Sequence, residues 1–123
     1  MPQHHEDNLQ AAAVRWFRLQ HPNRVIFAVP NGGRRNPREA ARLRMQGVLA
    51  GVSDLCIAEP FNGFHGAFVE MKFGKNKTTD AQDKFMQQMR DRGYFTGVCY
   101  SVGDFIETIR AYFEEKKIEK GEA

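Results

Sequence analysis

Three charged side chains near the middle of the chain have the types and spacing of a hydrolytic metal site. Glu70 and Lys72 are separated by one residue within the apolar segment AFVEMKF, and Asp54 directly precedes the apolar segment LCIA. Because strand residues alternate between faces, Glu70 and Lys72 point to one side of a strand. If the two segments pair in a suitable register, Asp54 joins them, and two converging carboxylates favour a cation between them. The alternative is a salt bridge on a solvated strand, for which Glu-x-Lys is a common pattern.

The ligand types indicate which ion and which reaction such a site would support. Oxygen ligands favour a hard cation such as Mg²⁺ or Mn²⁺ over zinc. Lys72, on the same face, could orient or help deprotonate a water molecule, or stabilise negative charge on a phosphate. The three residues together are therefore typical of metal-assisted hydrolysis.

Two further polar residues lie on helix faces that are otherwise apolar. Glu6 lies seven residues before Ala13, so it extends the inward stripe of the first predicted helix. Its alternative role is to complement the positive end of the helix dipole. Gln82 shares a face with Phe85, which suggests a place in the site, but it also lies three residues after Thr79, as in a capping box. Both interpretations of each residue stay open at this point.

Apolar periodicity and turn residues predict the elements that must position these side chains. Helices are expected over 5–20, 37–46, 80–92 and 102–115, and strands over 24–29, 54–58, 67–73 and 94–100. Asn36 and Gly47 mark the ends of the second helix, with Glu39 placed to complete a capping box. Close spacing favours an antiparallel hairpin for the second and third strands. The order α-β-α-β-β-α-β-α predicts an α/β fold, a mixed β-sheet of about four strands flanked by helices.

Length and composition narrow the class of protein. The 123 residues fit one domain over 1–123, with a charged tail at 116–123 expected to fray. No apolar run approaches about 20 residues, so no membrane association is expected, and the first residues do not resemble a secretory signal. Cys56 and Cys99 lack metal-site spacing and fit buried thiols in a reducing compartment. A cytoplasmic location follows.

Positive charge is concentrated in one segment. The net charge is only +3, but residues 31–51 carry five arginines against the single acid Glu39. Arginine suits phosphate because its planar fork can bond two oxygens at once. The alternative is a solvated charged helix. The arginines of interest are Arg34, Arg35, Arg38, Arg42 and Arg44.

Taken in order, these segments resemble the virus-type replication-repair nuclease (VRR-NUC) family of the PD-(D/E)XK nuclease superfamily. The resemblance rests on NGG followed by arginines, QGVLAGVSDL, FVEMKFGKNKTTDAQ and a later glycine. It covers nearly the whole chain, from Glu6 to about Ser101. One departure is Ser53, since many relatives carry proline before the aspartate, which should alter the rigidity of the turn more than the chemistry.

The resemblance implies a restriction-endonuclease-like core with an acidic metal site beside a catalytic lysine. The residues it implicates are Asp54, Glu70, Lys72 and Gln82 as catalytic residues, and Glu6, Asp54, Glu70 and the backbone carbonyl of Met71 as ligands of Mg²⁺ or Mn²⁺. A ligand through the Met71 carbonyl explains how an apolar side chain can stand between two catalytic ones. The chain looks like the stand-alone minimal form of the family, found in phages and bacteria, which implies the cytoplasm of a bacterial or phage-infected cell.

The resulting expectation is a divalent-metal-dependent DNA endonuclease that recognises structure, because nothing in the sequence resembles a base-reading helix. Minimal family members look like homodimers acting on branched DNA such as four-way (Holliday) junctions, so DNA and a second copy are the expected partners. Four arginines, Arg34, Arg35, Arg38 and Arg42, would bind flanking phosphates, with Lys75 and Lys77 as further candidates. Two alternatives stay open: a nuclease for flaps or nicked duplex, and a nucleic-acid-binding protein without catalysis.

Overall fold

The structure, a computed structural model, describes residues 2–30 and 36–114, with side chains from residue 5 onward. In this part of the chain the helices and strands follow the predicted order. They are α1 (Pro2–Gln20), β1 (Ile26–Ala28), α2 (Pro37–Met45), β2 (Leu55–Ile57), β3 (Ala67–Met71), α3 (Asp80–Asp91), β4 (Phe95–Cys99) and α4 (Val102–Tyr112). Arg34, Arg35 and the predicted tail at 116–123 lie outside the described residues.

One mixed sheet forms the middle of the fold, as predicted. Its strands lie in the order β1-β2-β3-β4. The pairs β1–β2 and β2–β3 are antiparallel, and β3–β4 is parallel. Two parallel neighbours need a crossover connection of about a dozen residues or more, and α3 lies in that connection. The predicted antiparallel hairpin of β2 and β3 is confirmed.

The β2–β3 register brings the two central carboxylates together. Leu55 pairs with Val69 and Ile57 with Ala67, so one further step places Asp54 opposite Glu70. Opposite residues of an antiparallel pair point to the same face, with Cβ atoms about 5 Å apart. The carbonyl of Asp54 also accepts from the amide of Val29 at 2.8 Å. This hydrogen bond extends the β1–β2 pairing by one residue and holds the backbone of Asp54 in place.

The sheet is covered on both faces, and the core lies mainly on one of them. Phe17 of α1 and Phe105 and Ile109 of α4 are fully buried against Leu55 and Val69 of the sheet. Complete burial of a large apolar side chain contributes about 1.5–3 kcal/mol, so this cluster supplies much of the stability. This packing also holds the central strands in place, and with them the side chains on the opposite face of the sheet.

Helix α3 covers the opposite face. Its apolar stripe buries Phe85 and Met86, and the ring of Phe68 meets Phe85 edge-on with centroids 5.2 Å apart. Phe68 and Glu70 are two residues apart on β3, so they share this face. The carboxylate of Glu70 therefore lies between the sheet and the start of α3.

Several element boundaries differ from the prediction. The third strand ends at Met71 rather than at residue 73, because its neighbour β4 ends at Cys99, whose carbonyl accepts from the amide of Lys72 at 2.8 Å. Alternation along the predicted strand 67–73 would place Phe73 on the core face with Met71, but Phe73 is 38% exposed and stacks on the ring of His5 at 4.5 Å. Ala12, predicted on the buried stripe of α1, is exposed.

Helix α2 has well-defined ends. Asn36 Oδ1 accepts from the amide of Glu39 at 2.7 Å, which is one half of the predicted capping box. At the other end Gly47 has φ +103°, and the amides of Gly47 and Val48 donate to the carbonyls of Arg44 and Leu43. These are the two hydrogen bonds of a Schellman motif, so the prediction of Gly47 as the terminating glycine is confirmed.

Both cysteines are free thiols, Cys99 buried and Cys56 half-buried. Burial raises the pKa of each thiol, which favours the protonated, unreactive form. Within 2–30 and 36–114, no helix is long and apolar enough to cross a membrane.

Candidate active site

A cleft of about 390 Å³ opens where the start of α1, the end of β1, the edge of β3 and the start of α3 meet. It brings together the six residues that the sequence predicts as catalytic residues or metal ligands. The cleft is lined by Glu6, Asp7, Gln10, Ala28, Val29, Pro30, Asp54, Glu70, Met71, Lys72 and Gln82.

Asp54 is held by the backbone of the neighbouring strand. Its Oδ2 accepts from the amide of Met71 at 2.8 Å. In a β-strand the N–H and C=O of one residue point to the same edge, so the Met71 carbonyl also points toward Asp54. The Met71 side chain is buried in the core, and the residue therefore lines the cleft with its backbone. The role of this carbonyl as a metal ligand stays a prediction.

Glu70 is only 3% exposed, and its two carboxylate oxygens differ. Oε2 accepts from Gln82 Nε2 at 3.0 Å and lies 3.8 Å from the ammonium of Lys72. Oε1 is buried and has no hydrogen-bond partner in the described part of the chain. A buried carboxylate oxygen without a donor costs free energy, so this atom requires a proton or a cation.

The pKa of Glu70 reflects this environment. Burial and the neighbouring Asp54 carboxylate raise it to about 8, although the ammonium of Lys72 acts in the opposite direction. Near neutral pH, Glu70 is therefore protonated for much of the time unless a cation replaces the proton.

The residues present fit a hard divalent cation. The donors are carboxylate and carbonyl oxygens, which is the ligand set that magnesium and manganese prefer. Glu70 Oε1 has an unmet need for positive charge. Glu6 lines the same cleft, but among the described residues no three His, Cys, Asp or Glu side chains stand close enough to surround an ion. Asp54, Glu70 and the Met71 carbonyl are thus the residues that would hold it.

Gln82 has both of the roles that its sequence position left open. Its backbone amide donates to Thr79 Oγ1 at 3.2 Å and its Oε1 accepts from the Thr79 amide at 2.9 Å, which completes a capping box. Its Nε2 donates to Glu70 at 3.0 Å. Because the cap takes the oxygen, it fixes which end of the amide faces Glu70. One side chain thus starts α3 and orients a carboxylate in the cleft.

Changing Gln82 to glutamate should damage the site while it keeps the helix start. A glutamate can still accept from the Thr79 amide, but its second oxygen faces Glu70 and repels it. We expect a further rise in the pKa of Glu70 and weaker binding of Mg²⁺ by about tenfold or more, measured by calorimetry. Gln88→Glu, on the same helix outside the cleft, is the control. Equal Mg²⁺ affinity in Gln82→Glu and the parent protein would contradict this.

Gly51 holds the loop before Asp54 against the first turn of α3. It has φ +89°, and a Cβ there would come within 2.3 Å of the carbonyl oxygen of Ala81 and 2.9 Å of the amide of Gln82. Since backbone atoms cannot yield as a flexible side chain can, only glycine fits. The glycine of the motif Gly-Val-x-Asp is therefore required both by its positive φ and by the close packing of the loop on α3.

Replacing Gly51 by alanine should therefore cost more than the same change at Gly47. Both glycines have positive φ, but nothing lies within 4 Å of a Cβ at Gly47. We expect Gly47→Ala to lower the free energy of unfolding by about 1 kcal/mol, and Gly51→Ala by an additional 1–3 kcal/mol, roughly, from the clash. Urea unfolding measures both. Equal losses would show that the α3 contact is looser than the structure has it.

Those predicted phosphate-binding residues that the structure describes lie outside the cleft. Arg38 and Arg42 are exposed on α2 and line a shallow depression of about 250 Å³ with Asn36 and Glu39. Lys75 and Lys77 are exposed in the loop that follows β3, close in sequence to Lys72. Arg34 and Arg35 fall outside the described residues.

Two polar side chains of the cleft were not predicted from the sequence. Gln10 and Asp7 line the cleft beside Glu6. Gln10 follows Glu6 by four residues, so the helical period could have placed it on the same face. Asp7 lies off that stripe, and no sequence signal points to it.

Comparison with known proteins identifies the family of this chain. The family model of the VRR-NUC domain matches residues 4–103. A solved structure described as a VRR_NUC domain protein superimposes with a TM-score of 0.72 at 26% sequence identity, over 87% of this chain and 86% of that one. No curated protein matches the chain. The family match includes each cleft residue singled out above, and the chain therefore belongs to the VRR-NUC domain family, which comprises nucleases of the PD-(D/E)XK type that generally use divalent metal ions.

Proposed function

We propose that this protein is a DNA endonuclease that uses Mg²⁺ or Mn²⁺ to hydrolyse phosphodiester bonds. The observation that carries the proposal is the buried, unpartnered Oε1 of Glu70, which shares a cleft with Asp54 and Lys72. A structural salt bridge would satisfy the carboxylate from within the protein. Glu70 Oε1 instead has no donor in the described part of the chain, and the carboxyl group lies beside a second one, Asp54, which favours a cation between them.

Each residue of the cleft has a distinct part in this proposal. Asp54, Glu70 and the Met71 carbonyl hold the ion, and the Met71 amide keeps Asp54 in position. The bound ion would polarise the scissile phosphate and lower the pKa of a coordinated water. Gln82 donates a hydrogen bond to Glu70 Oε2 and so holds that oxygen in place, while Oε1 has no donor among the described residues.

Among the described residues that line the cleft, Lys72 is the one with a positive charge. Its side chain is 10% exposed, so little water screens its ammonium. From this position it donates hydrogen bonds to the attacking water or to a phosphate oxygen as negative charge develops there. Glu6, on the far wall of the cleft, completes the acidic set and can accept a proton from that water.

The proposed substrate is branched DNA, including the four-way junction, and the proposed active form is a homodimer. The exposed arginines of α2 and the lysines after β3 would bind flanking phosphates, contacts that position a backbone without reading its sequence. Symmetric cutting of a junction requires two active sites, and each chain carries one such cleft. A nuclease for flaps or nicked duplex would use the same cleft on a different DNA geometry.

A cleavage assay tests the proposal directly. The protein is incubated with labelled four-way junction, flap, nicked duplex, linear duplex and single strand, in Mg²⁺, in Mn²⁺ and in chelator. We expect metal-dependent cutting that is fastest on branched DNA, and loss of cutting in Asp54→Asn. Sedimentation at micromolar concentration measures the oligomeric state.

Each alternative gives a different result. Absence of cutting in both metals, together with tight DNA binding, would favour a nucleic-acid-binding protein without catalysis. Cutting of flaps alone would exclude junction resolution while the nuclease assignment stands. A monomer that still cuts the two strands symmetrically would contradict the homodimer.

A further inference from the structure

Helix α2 and the turn after it form a surface segment, residues 36–49, that differs from the other helices of the described chain. None of the residues of α2 is buried, whereas α1, α3 and α4 each bury part of an apolar stripe. Helices of globular proteins obtain most of their stability from packing such a stripe. This segment, called the arm, is held by a cap at each end of the helix, and most of its side chains are exposed.

The C-terminal end of the arm is apolar. Met45 is 89% exposed, Leu49 56% and Val48 40%. Single exposed apolar residues are ordinary on protein surfaces, but a cluster usually marks a site of interaction. The Schellman motif at Gly47 holds Val48 back against Leu43, so the turn presents these side chains in a defined arrangement.

The rest of the arm is basic. Arg38, Arg42 and Arg44 stand against one acid, Glu39. A second copy of the chain packed symmetrically on this face would bring the same arginines together, and like charges across an interface are unfavourable. A polyanion with exposed apolar surfaces fits better. Nucleic acid has both properties wherever its bases are unstacked, since phosphates carry the charge and base faces are apolar.

The arm is joined to the catalytic cleft by a short connection. Gly51 touches the backbone of Ala81 and Gln82, and Gln82 lines the cleft. Leu49 precedes Gly51 by two positions, a span of at most about 7 Å, and Val48 precedes it by three positions, at most about 11 Å. A nucleotide strand advances about 3.4 Å per residue. The apolar end of the arm therefore lies within a few nucleotides of a phosphate bound in the cleft.

We propose that Met45 and Val48 pack against unstacked bases at a branch point of the DNA substrate, while the arginines of α2 bind the adjoining phosphates. This inference rests on the proposed nuclease function and adds the feature by which the substrate is selected. Inserting an apolar side chain into intact duplex costs the unstacking of a base step, a few kcal/mol. At a branch the stacking is already interrupted, so the contact forms at lower cost and favours branched DNA.

The double variant Met45→Ser, Val48→Ser tests the proposal, with Leu19→Ser as a matched control because Leu19 is also exposed, at 72%, on a different helix. Two measurements are made on each protein: cleavage of a forked duplex relative to a linear duplex in Mg²⁺, and binding of the same DNAs in chelator with 2-aminopurine at the branch point. We expect the double variant to lose about tenfold in the branched-to-linear ratio of both, and to lose the rise in 2-aminopurine fluorescence. The control should keep all three.

The outcomes separate this inference from the nuclease proposal. If the parent protein cuts no DNA, the nuclease proposal fails, and the binding ratio still decides the role of the arm. An unchanged ratio and unchanged fluorescence in the double variant would overturn the inference even when cleavage is intact. A shift of the double variant from dimer to monomer in sedimentation, with unchanged DNA selectivity, would assign this surface to a second copy and equally overturn it.

Discussion

Replacing Lys72 by methionine is expected to slow DNA cleavage by roughly 10²–10³-fold, the usual effect of removing one charge-stabilising donor from an active site. The side chain is nearly buried in the cleft, with its ammonium 3.8 Å from Glu70 Oε2. Methionine keeps the length and apolar part of the lysine, so the fold should persist. Single-turnover cleavage of a branched DNA in Mg²⁺ measures the loss.

The pH dependence of the Lys72 variant gives a second, independent readout. The Lys72 ammonium lowers the pKa of Glu70, which burial and Asp54 raise, so its removal should raise that pKa further. Since metal binding needs the carboxylate ionised, the pH profile of the residual activity should shift to higher pH. Lys84→Met, at an exposed position of α3, is the control. A tenfold effect or less with an unshifted profile would show that Lys72 serves only the ion pair.

Replacing Glu70 by glutamine should abolish metal-dependent cleavage and, at alkaline pH, stabilise the metal-free protein. The pKa of Glu70 is raised from its ordinary value near 4.5 to about 8. The native state therefore retains a proton that the unfolded state loses. The stabilisation from this proton is complete below about pH 4.5 and is lost as the pH rises to about 8. Each pKa unit corresponds to about 1.4 kcal/mol, so the effect amounts to a few kcal/mol.

Unfolding measured in urea between pH 5 and 9, with chelator and with Mg²⁺, tests this prediction. We expect the stability of the parent protein in chelator to fall with pH, that of Glu70→Gln to stay flatter, and Mg²⁺ to restore only the parent protein. Glu107→Gln changes an exposed carboxylate of α4 and should follow the parent. Parallel pH curves for the parent protein and Glu70→Gln would mean that Glu70 is ionised in the metal-free fold.

Much of the fold and the site could be predicted because the signals are local. Alternation on β3 placed Glu70 and Lys72 on one face, and the short connection between β2 and β3 implied the hairpin that brings Asp54 opposite Glu70. The stripe of α3 located Gln82 correctly. What the sequence left as two competing interpretations of Gln82 proved to be compatible, because the amide has separate donor and acceptor ends.

The remaining features depend on contacts between distant segments. Glycine is typical of turns, so a turn at Gly51 could be predicted from the sequence. Its contact with Ala81 could not, because that contact arises only when the loop packs on α3. Phe73 follows the alternation of a core residue and is exposed because the partner strand has already ended. Asp7 lines the cleft although it lies off the apolar stripe of α1. None of these has a periodic signal along the chain.

The capping box of α3 links a backbone amide, that of Thr79, to the carboxylate of Glu70 in the cleft. The Thr79 amide donates to the same Gln82 side chain whose other end binds Glu70. If a cation replaces the proton of Glu70, the strength of that second hydrogen bond should change, and the hydrogen bond between Gln82 and the Thr79 amide should change with it. The hydrogen-exchange rate of the Thr79 amide should then report whether a cation occupies the cleft, and no label in the cleft is needed.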